Sequence, residues 1–248
     1  MELVILSLKL SPKAKKMTSI EILSYPGNFR VTKIQVAAKY ANVTVTTPAF
    51  EFEKDNLSEA YALNCHPLGK VPVAKTQDGY LFESNAIARY VARQDSTGAL
   101  YGGGGAYEAS QVDQWIDFTA NEVEVPLTVL VGMALGYIPN NDVQKENASK
   151  AAQNVFAVLN TQLEVRTFLV GERITLADIV LGAALEAFFR TVTDKRFKEG
   201  YVNLLRYVDT VIGQPNFSAV LSTLPNPKAA AAGGAKPEKE EKKKEGKK

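Results

Sequence analysis

Sulfur and imidazole are almost absent from this chain. A single cysteine, Cys65, excludes an internal disulfide framework and suits a reducing compartment. A single histidine, His66, leaves too little material for a zinc site or a histidine-based triad. No constellation of metal ligands is seen, so no metal and no required cofactor is expected. No apolar run approaches the ~20 residues that span a bilayer, so no membrane helix is expected. The opening MELVILSLKL is short, and its lysines follow the apolar stretch, the wrong order for a secretory signal. Cytoplasmic is the plain reading. Four glycines at 102–105 lack the lysine and strand context of a phosphate-binding loop.

What is present is 248 residues of ordinary apolar and charged content, enough for one large core or two small ones. The overall charge of +2 is unevenly spread. Residues 225–248 hold eight lysines against four glutamates, and residues 1–16 four lysines against one glutamate. The body between them therefore carries a net charge of about −5. An acidic globule with basic, low-complexity ends is not a domain whose folded surface grips nucleic acid. The end, NPKAAAAGGAKPEKEEKKKEGKK, reads as a disordered linker or tail, which suggests a further domain beyond it. Met17 offers a second start, which makes residues 1–17 an extension outside the fold.

After Met17, SIEILSY is a strand closed by Pro26-Gly27, and residues 29–41 place Ile34, Ala37, Ala38 and Ala41 on one helical face. NVTVTT alternates as a second strand, and NLSEAYALN makes a short helix. GKVPVAKTQDGYLFE predicts a hairpin with an Asp-Gly turn, and SNAIARYVARQ a helix capped by Ser84. The order predicts a small mixed sheet with helices on both faces, over residues 18–96. Past STGALYGGGGA the pattern becomes helical only, over residues 104–224. Val112, Trp115, Ile116, Thr119 and Val123 keep helical spacing until Pro126, which should kink or end that helix. Ala152, Val155, Phe156, Leu159 and Leu163 form another stripe, and a last helix is expected around YVNLLRYVDTVIG. Between them, RTFLVGERITLADI holds a strong helix start. Thr175 and Asp178 have the spacing of a capping box, with Ile174 and Ile179 as its hydrophobic staple.

GKVP and FESNAIARYV in a mixed-sheet domain, followed by FLVGERITLADI among helices, resemble the cytosolic glutathione transferase family. Within it, ESNAIARYV and RTFLVGERITLADI are most similar to the gamma-subunit branch of translation elongation factor 1. The resemblance covers residues ~18–224. It implies a thioredoxin-like N-terminal domain and an all-helical C-terminal domain, an α/β plus all-α fold. It also makes Thr175 and Asp178 structural rather than catalytic, a folding signal for a central helix.

The resemblance implies glutathione, or a related thiol, as ligand of the first domain. Val71-Pro72 matches a cis-proline site whose valine backbone pairs with the peptide. Glu83 and Ser84 match the pair that holds the γ-glutamyl end, and Lys70 is open between two readings, a contact to the glycyl carboxylate and a plain solvated lysine. A helix start at Ser84 suits a carboxylate on physical grounds as well, and Glu83 suits an ammonium. The activating hydroxyl is less clear in LSYPGNFR: counting from Pro26 favours Ser24, while counting back from Arg30 brings Tyr25 or Pro26 into register. Adjacent Cys65 and His66 invite a nucleophile reading, but loop neighbours rarely point together, and a spare loop cysteine is the plainer reading.

Three functions follow. The first is an assembly domain that holds the beta-type nucleotide-exchange subunit of elongation factor 1, and through it the alpha subunit. The second is a working transferase that joins a thiol to electrophiles. The third is a docking domain of an aminoacyl-tRNA synthetase complex. A homodimer is open in each case.

Overall fold

A computed structural model describes residues 19–225. The expected extension at 1–17 and the tail beyond residue 225 lie outside the described residues. Strand β1 (Ser19–Leu23) turns Ile20 and Ile22 inward and Ser19 and Glu21 outward, the period of two that its sequence predicts. Pro26-Gly27 turns the chain, Gly27 at φ 79, into α1 (Phe29–Ala41). Asn28 caps α1 by accepting from the Arg30 amide at 3.1 Å, and Asn42 ends it in the left-handed region at φ 55. β2 (Thr44–Thr46) then lies parallel to β1.

A single 3-10 turn at Asp55–Leu57 leads to α2 (Glu59–Asn64), where the Ser58 hydroxyl accepts from the Tyr61 amide. The hairpin follows as β3 (Val73–Thr76) and β4 (Gly79–Phe82). Its turn is Gln77-Asp78 rather than Asp-Gly: Gly79, at φ 136, already pairs with Thr76. The sheet order is β2-β1-β3-β4, with β3 antiparallel to both neighbours. α3 (Ser84–Ala92) packs with α1, and both meet the central helix of the second domain.

That domain starts at α4 (Ala106–Phe118). The glycines before it have a packing reason. Gly102 sits at φ 76, and a Cβ there would stand 2.4 Å from the Ala109 nitrogen. The Gly104 amide donates to Glu108 at 2.7 Å. The sequence predicts that Pro126 kinks or ends its helix, and it does not end one. A π turn at Thr119–Val123 comes first, and Pro126 is the third residue of α5 (Glu124–Ala134). Proline has no amide to give, so the offset costs it no hydrogen bond.

α6 (Asp142–Gln162) buries Ala152, Phe156 and Leu159 on its predicted stripe. α7 (Leu176–Thr191) is buried from Leu176 through Leu185, the mark of a helix surrounded on all sides. α8 (Val202–Ile212) and α9 (Pro215–Leu221) close the bundle, α9 opening on a proline at its first turn. Gly182 lets α8 approach α7, since a Cβ there would lie 2.7 Å from Val211 Cγ1. Of the one-core and two-core alternatives, the structure takes the first. Ile20, Ile34 and Ile87 belong to the same continuous apolar cluster as Phe156, Leu181 and Phe188.

The capped helix start is as expected and carries more than a cap. The Thr175–Asp178 capping box is present, and Asp178 is fully buried. Its Oδ2 accepts from the Thr175 amide at 2.9 Å and the Thr175 hydroxyl at 3.1 Å. Its Oδ1 accepts from the Leu169 amide at 2.8 Å and the Tyr207 hydroxyl at 3.0 Å. One carboxylate thus joins the FLVG loop, α7 and α8. Burial pushes the Asp178 carboxyl above its usual value, and the four donors pull it back in part.

Candidate functional site at one end of the sheet

Register brings the candidate residues together. Leu23 pairs with Val73, and Val73 pairs with Phe82. Because β3 runs opposite to β1 and β4, the end of β1, the start of β3 and the end of β4 share one end of the sheet. Ser24 and Tyr25 follow the first, Val71-Pro72 precede the second, and Glu83-Ser84 follow the third. The Val71–Pro72 peptide bond is cis. The loop ahead of it is tied down by Tyr61, whose hydroxyl donates to the Lys70 carbonyl at 2.9 Å. Asn56 donates to the Gly69 carbonyl at 2.8 Å. The Lys70 side chain itself is exposed.

At the end of β4 the reading of Ser84 as the cap needs correction. Ser84 is the first helical residue, and Glu83 holds the cap position without a side-chain cap bond. Glu83 is exposed, with φ 66 and ψ 112. A non-glycine residue pays about 1–3 kcal/mol for such a conformation, and these outliers gather at functional sites. The strained peptide swings the Glu83 side chain outward while Ser84, buried, opens the helix. An exposed carboxylate beside a helix N-terminus suits the two charged ends of an amino acid: ammonium to Glu83, carboxylate to the amides of α3.

At the end of β1 both hydroxyls are present and differ in surroundings. Ser24 is buried, and its Oγ accepts from Asn28 Nδ2 at 3.0 Å. A hydroxyl that accepts in this way keeps its own proton to donate. Tyr25 stacks at a tilt on Phe52, ring centres 5.1 Å apart. Burial raises the Tyr25 phenol above its usual value. Arg30 opposes that shift and Tyr137 adds to it, so the ring lies by the second domain and stays protonated near neutral pH.

The Cys65–His66 pair does not form a nucleophile. His66 is buried, stacks 4.9 Å from Phe82, and accepts the Leu68 amide on Nδ1 at 3.0 Å. Cys65 has Tyr80 as partner instead; burial raises its thiol, and the Tyr80 hydrogen bond only partly reverses this.

Sequence reasoning missed one cluster beside the site. Lys33, only 1% exposed, donates to Asn85 Oδ1 at 2.5 Å and to Glu124 Oε1 at 2.9 Å. Arg30 stands 3.6 Å from the other Glu124 oxygen. Burial lowers the Lys33 ammonium below its ordinary value, with Glu124 acting against that. Three elements, α1, α3 and α5, meet there. Among the described residues, no group of three or more His, Cys, Asp or Glu side chains could hold a metal ion, and no helix is long and apolar enough to cross a membrane.

Comparison with known proteins agrees with this geometry over both domains. Residues 18–93 match the family model of the glutathione S-transferase N-terminal domain, and residues 118–215 that of its C-terminal domain. The chain belongs to the glutathione transferase family. Among curated relatives, "Probable elongation factor 1-gamma 1" of Arabidopsis thaliana is 38% identical over 230 residues, 90% of this chain and 55% of the relative. "Elongation factor 1-gamma" of Danio rerio is 39% identical over 210 residues, 83% of this chain and 46% of the relative. The chain thus spans about half the length of the curated relatives it matches. A theta-class glutathione S-transferase of Xanthomonas axonopodis pv. citri, solved with glutathione bound, superposes with a TM-score of 0.73 at 24% identity. That superposition covers 84% of this chain and 99% of the transferase, which establishes the thioredoxin-like and all-helical transferase fold.

Proposed function

We propose that this chain is the glutathione-transferase-like part of an elongation factor 1-gamma subunit. In this reading it anchors the beta-type nucleotide-exchange subunit of the elongation factor 1 complex in the cytoplasm, and meets the alpha subunit only through it. The similarity to elongation factor 1-gamma chains across both domains carries the reading. The acidic body suits a partner with a basic or apolar patch, charge helping the encounter and apolar burial holding the complex.

A second reading, thiol transfer, has its own support. The cis Val71–Pro72 bond, Glu83 at positive φ and Ser84 at a helix start lie at one end of the sheet together with Ser24 and Tyr25. Glutathione would lie with its backbone along Val71, its γ-glutamyl end at Glu83 and Ser84, and its glycyl carboxylate toward Lys70. The thiol would then face the end of β1, where a donated hydrogen bond from Ser24 or Tyr25 favours thiolate.

Co-purification with the exchange subunit, beside conjugation assays of the parent, Ser24→Ala and Tyr25→Phe, tests both. The expected result is a retained complex with slight turnover. Robust turnover abolished by either substitution, with no partner retained, would make the chain an enzyme and end the first reading.

A further inference from the structure

We propose that Glu124, which enters from the helical domain, is a positioning residue for the thiol-binding end of the sheet, acting through Lys33 and Arg30. The inference rests on the reading that glutathione binds at Glu83 and Ser84, and it names what holds that place in shape.

Lys33 points from α1 into the domain boundary, where its side chain is 1% exposed. A cation so placed is costly unless it is paired and hydrogen-bonded. Glu124 supplies the charge at 2.9 Å, and Asn85 supplies a second acceptor. A buried ion pair is weak evidence for stability, since well-packed apolar residues often do as well. What the pair does is join three elements at one point. Asn85 is the residue after Ser84 in the first turn of α3, so gripping its side chain fixes the turn whose amides would face the γ-glutamyl carboxylate.

The same carboxylate reaches the other side of the site. Glu124 Oε2 stands 3.6 Å from Arg30, which also reaches Thr128 on α5 at 3.5 Å. The Arg30 amide is the one capped by Asn28, and Asn28 in turn donates to Ser24. Arg30 also lies near enough to Tyr25 to oppose the rise in its phenol value. One acid therefore holds a cation on each flank, Lys33 toward Ser84 and Arg30 toward Ser24 and Tyr25. The π turn at Thr119–Val123 ends directly before Glu124, and such insertions re-aim the residues that follow.

The test uses Lys33→Met combined with Glu124→Leu, an apolar pair that removes both buried charges together and keeps the boundary filled. Its melting temperature should stay near the parent's. Its affinity for glutathione, read by calorimetry, should fall about tenfold, as losing roughly one good hydrogen bond predicts. The Ser84 and Asn85 amide resonances of the free protein should shift. Asn85→Ala, which leaves the ion pair in place, should weaken glutathione similarly and guards against a double variant that fails to fold. Ser84→Ala separates the two ideas. Loss of binding in Ser84→Ala, with parent-like binding in the double variant and in Asn85→Ala, overturns the positioning role and keeps the site. Parent-like binding in all three, or no binding by the parent, overturns the site and this inference with it.

Discussion

Replacing Asp178 by alanine removes an acceptor that four donors share. A helix cap alone is worth ~1 kcal/mol, and the capping-box spacing in the sequence predicts no more than that or slightly above. The structure raises the figure. Asp178 accepts from the amides of Leu169 and Thr175 and from the hydroxyls of Thr175 and Tyr207, all in a place without solvent. Each buried donor left without a partner costs about 1–3 kcal/mol. The Thr175 hydroxyl can rotate away, but the two amides and Tyr207 are held by their own elements. Removing a buried carboxylate also relieves its desolvation, which already pushes its titration upward. The net expectation is a loss of about 3–4 kcal/mol, a large share of the stability of an ordinary domain. Urea unfolding at neutral pH, followed by circular dichroism, reads it directly. Tyr207→Phe removes one donor and leaves the carboxylate three, so about 1 kcal/mol is expected there. A loss of 1 kcal/mol or less in Asp178→Ala would refute the shared-acceptor reasoning. A variant that melts like the parent but no longer binds glutathione would place Asp178 in the ligand site instead.

Two further outcomes are open to measurement. Glutathione should bind less tightly to Ser84→Ala and to Glu83→Ala, because each change leaves a charged end of the peptide unpaired, and unchanged calorimetric affinity in both would move the site elsewhere. At alkaline pH, Tyr61 should make its own mark. Burial, with a smaller contribution from Cys65, pushes its phenol up to about 12. The folded chain then keeps a proton that the unfolded chain releases near pH 10, so stability should fall as pH rises from about 10 through 12. Tyr61→Phe should flatten that part of the profile, and an unaltered slope would reject the assignment.

Periodic features were legible in the sequence because their signal is local. The α1 stripe of Ile34, Ala37, Ala38 and Ala41, the α6 stripe and the Thr175–Asp178 box all repeat or pair within a few residues, and each is where it was expected. What stayed hidden is carried by distant partners. Lys33 sits next to the apolar stripe of α1 and reads as an ordinary solvated lysine; only Glu124, far along the chain, makes its burial possible. The tie from Asp178 to Tyr207 is equally non-local. Ser84 was misplaced as a cap by one position because Glu83 takes a positive φ, whereas cap residues usually sit in the extended region. Pro126 predicts a kink or an end to its helix; the irregularity there is an inserted π turn just upstream rather than a helix end. α9 was missed, its seven residues being too few for periodicity; Gly213 followed by Pro215 at the first turn was the available cue.

The placement of these features bears on how one fold can serve as scaffold and as thiol site. Asp178 and Tyr207 hold α7 and α8 together, and neither lies at the end of the sheet where Ser24, Val71 and Ser84 meet. Ser24 accepts one hydrogen bond from the buried Asn28, so its loss leaves that donor unpartnered and costs about 1–3 kcal/mol, confined to the start of α1. On the proposed reading, thiol chemistry could fade at the end of β1 at that local cost while the bundle keeps its shape. Lys33 bonds both Glu124 on α5 and Asn85 in the first turn of α3, so by the proposal above a change that loosens α5 should reach that turn. On the proposed reading, glutathione binding at that end would depend on the bundle through Asn85. The proposed assembly subunit with slight turnover is compatible with this arrangement.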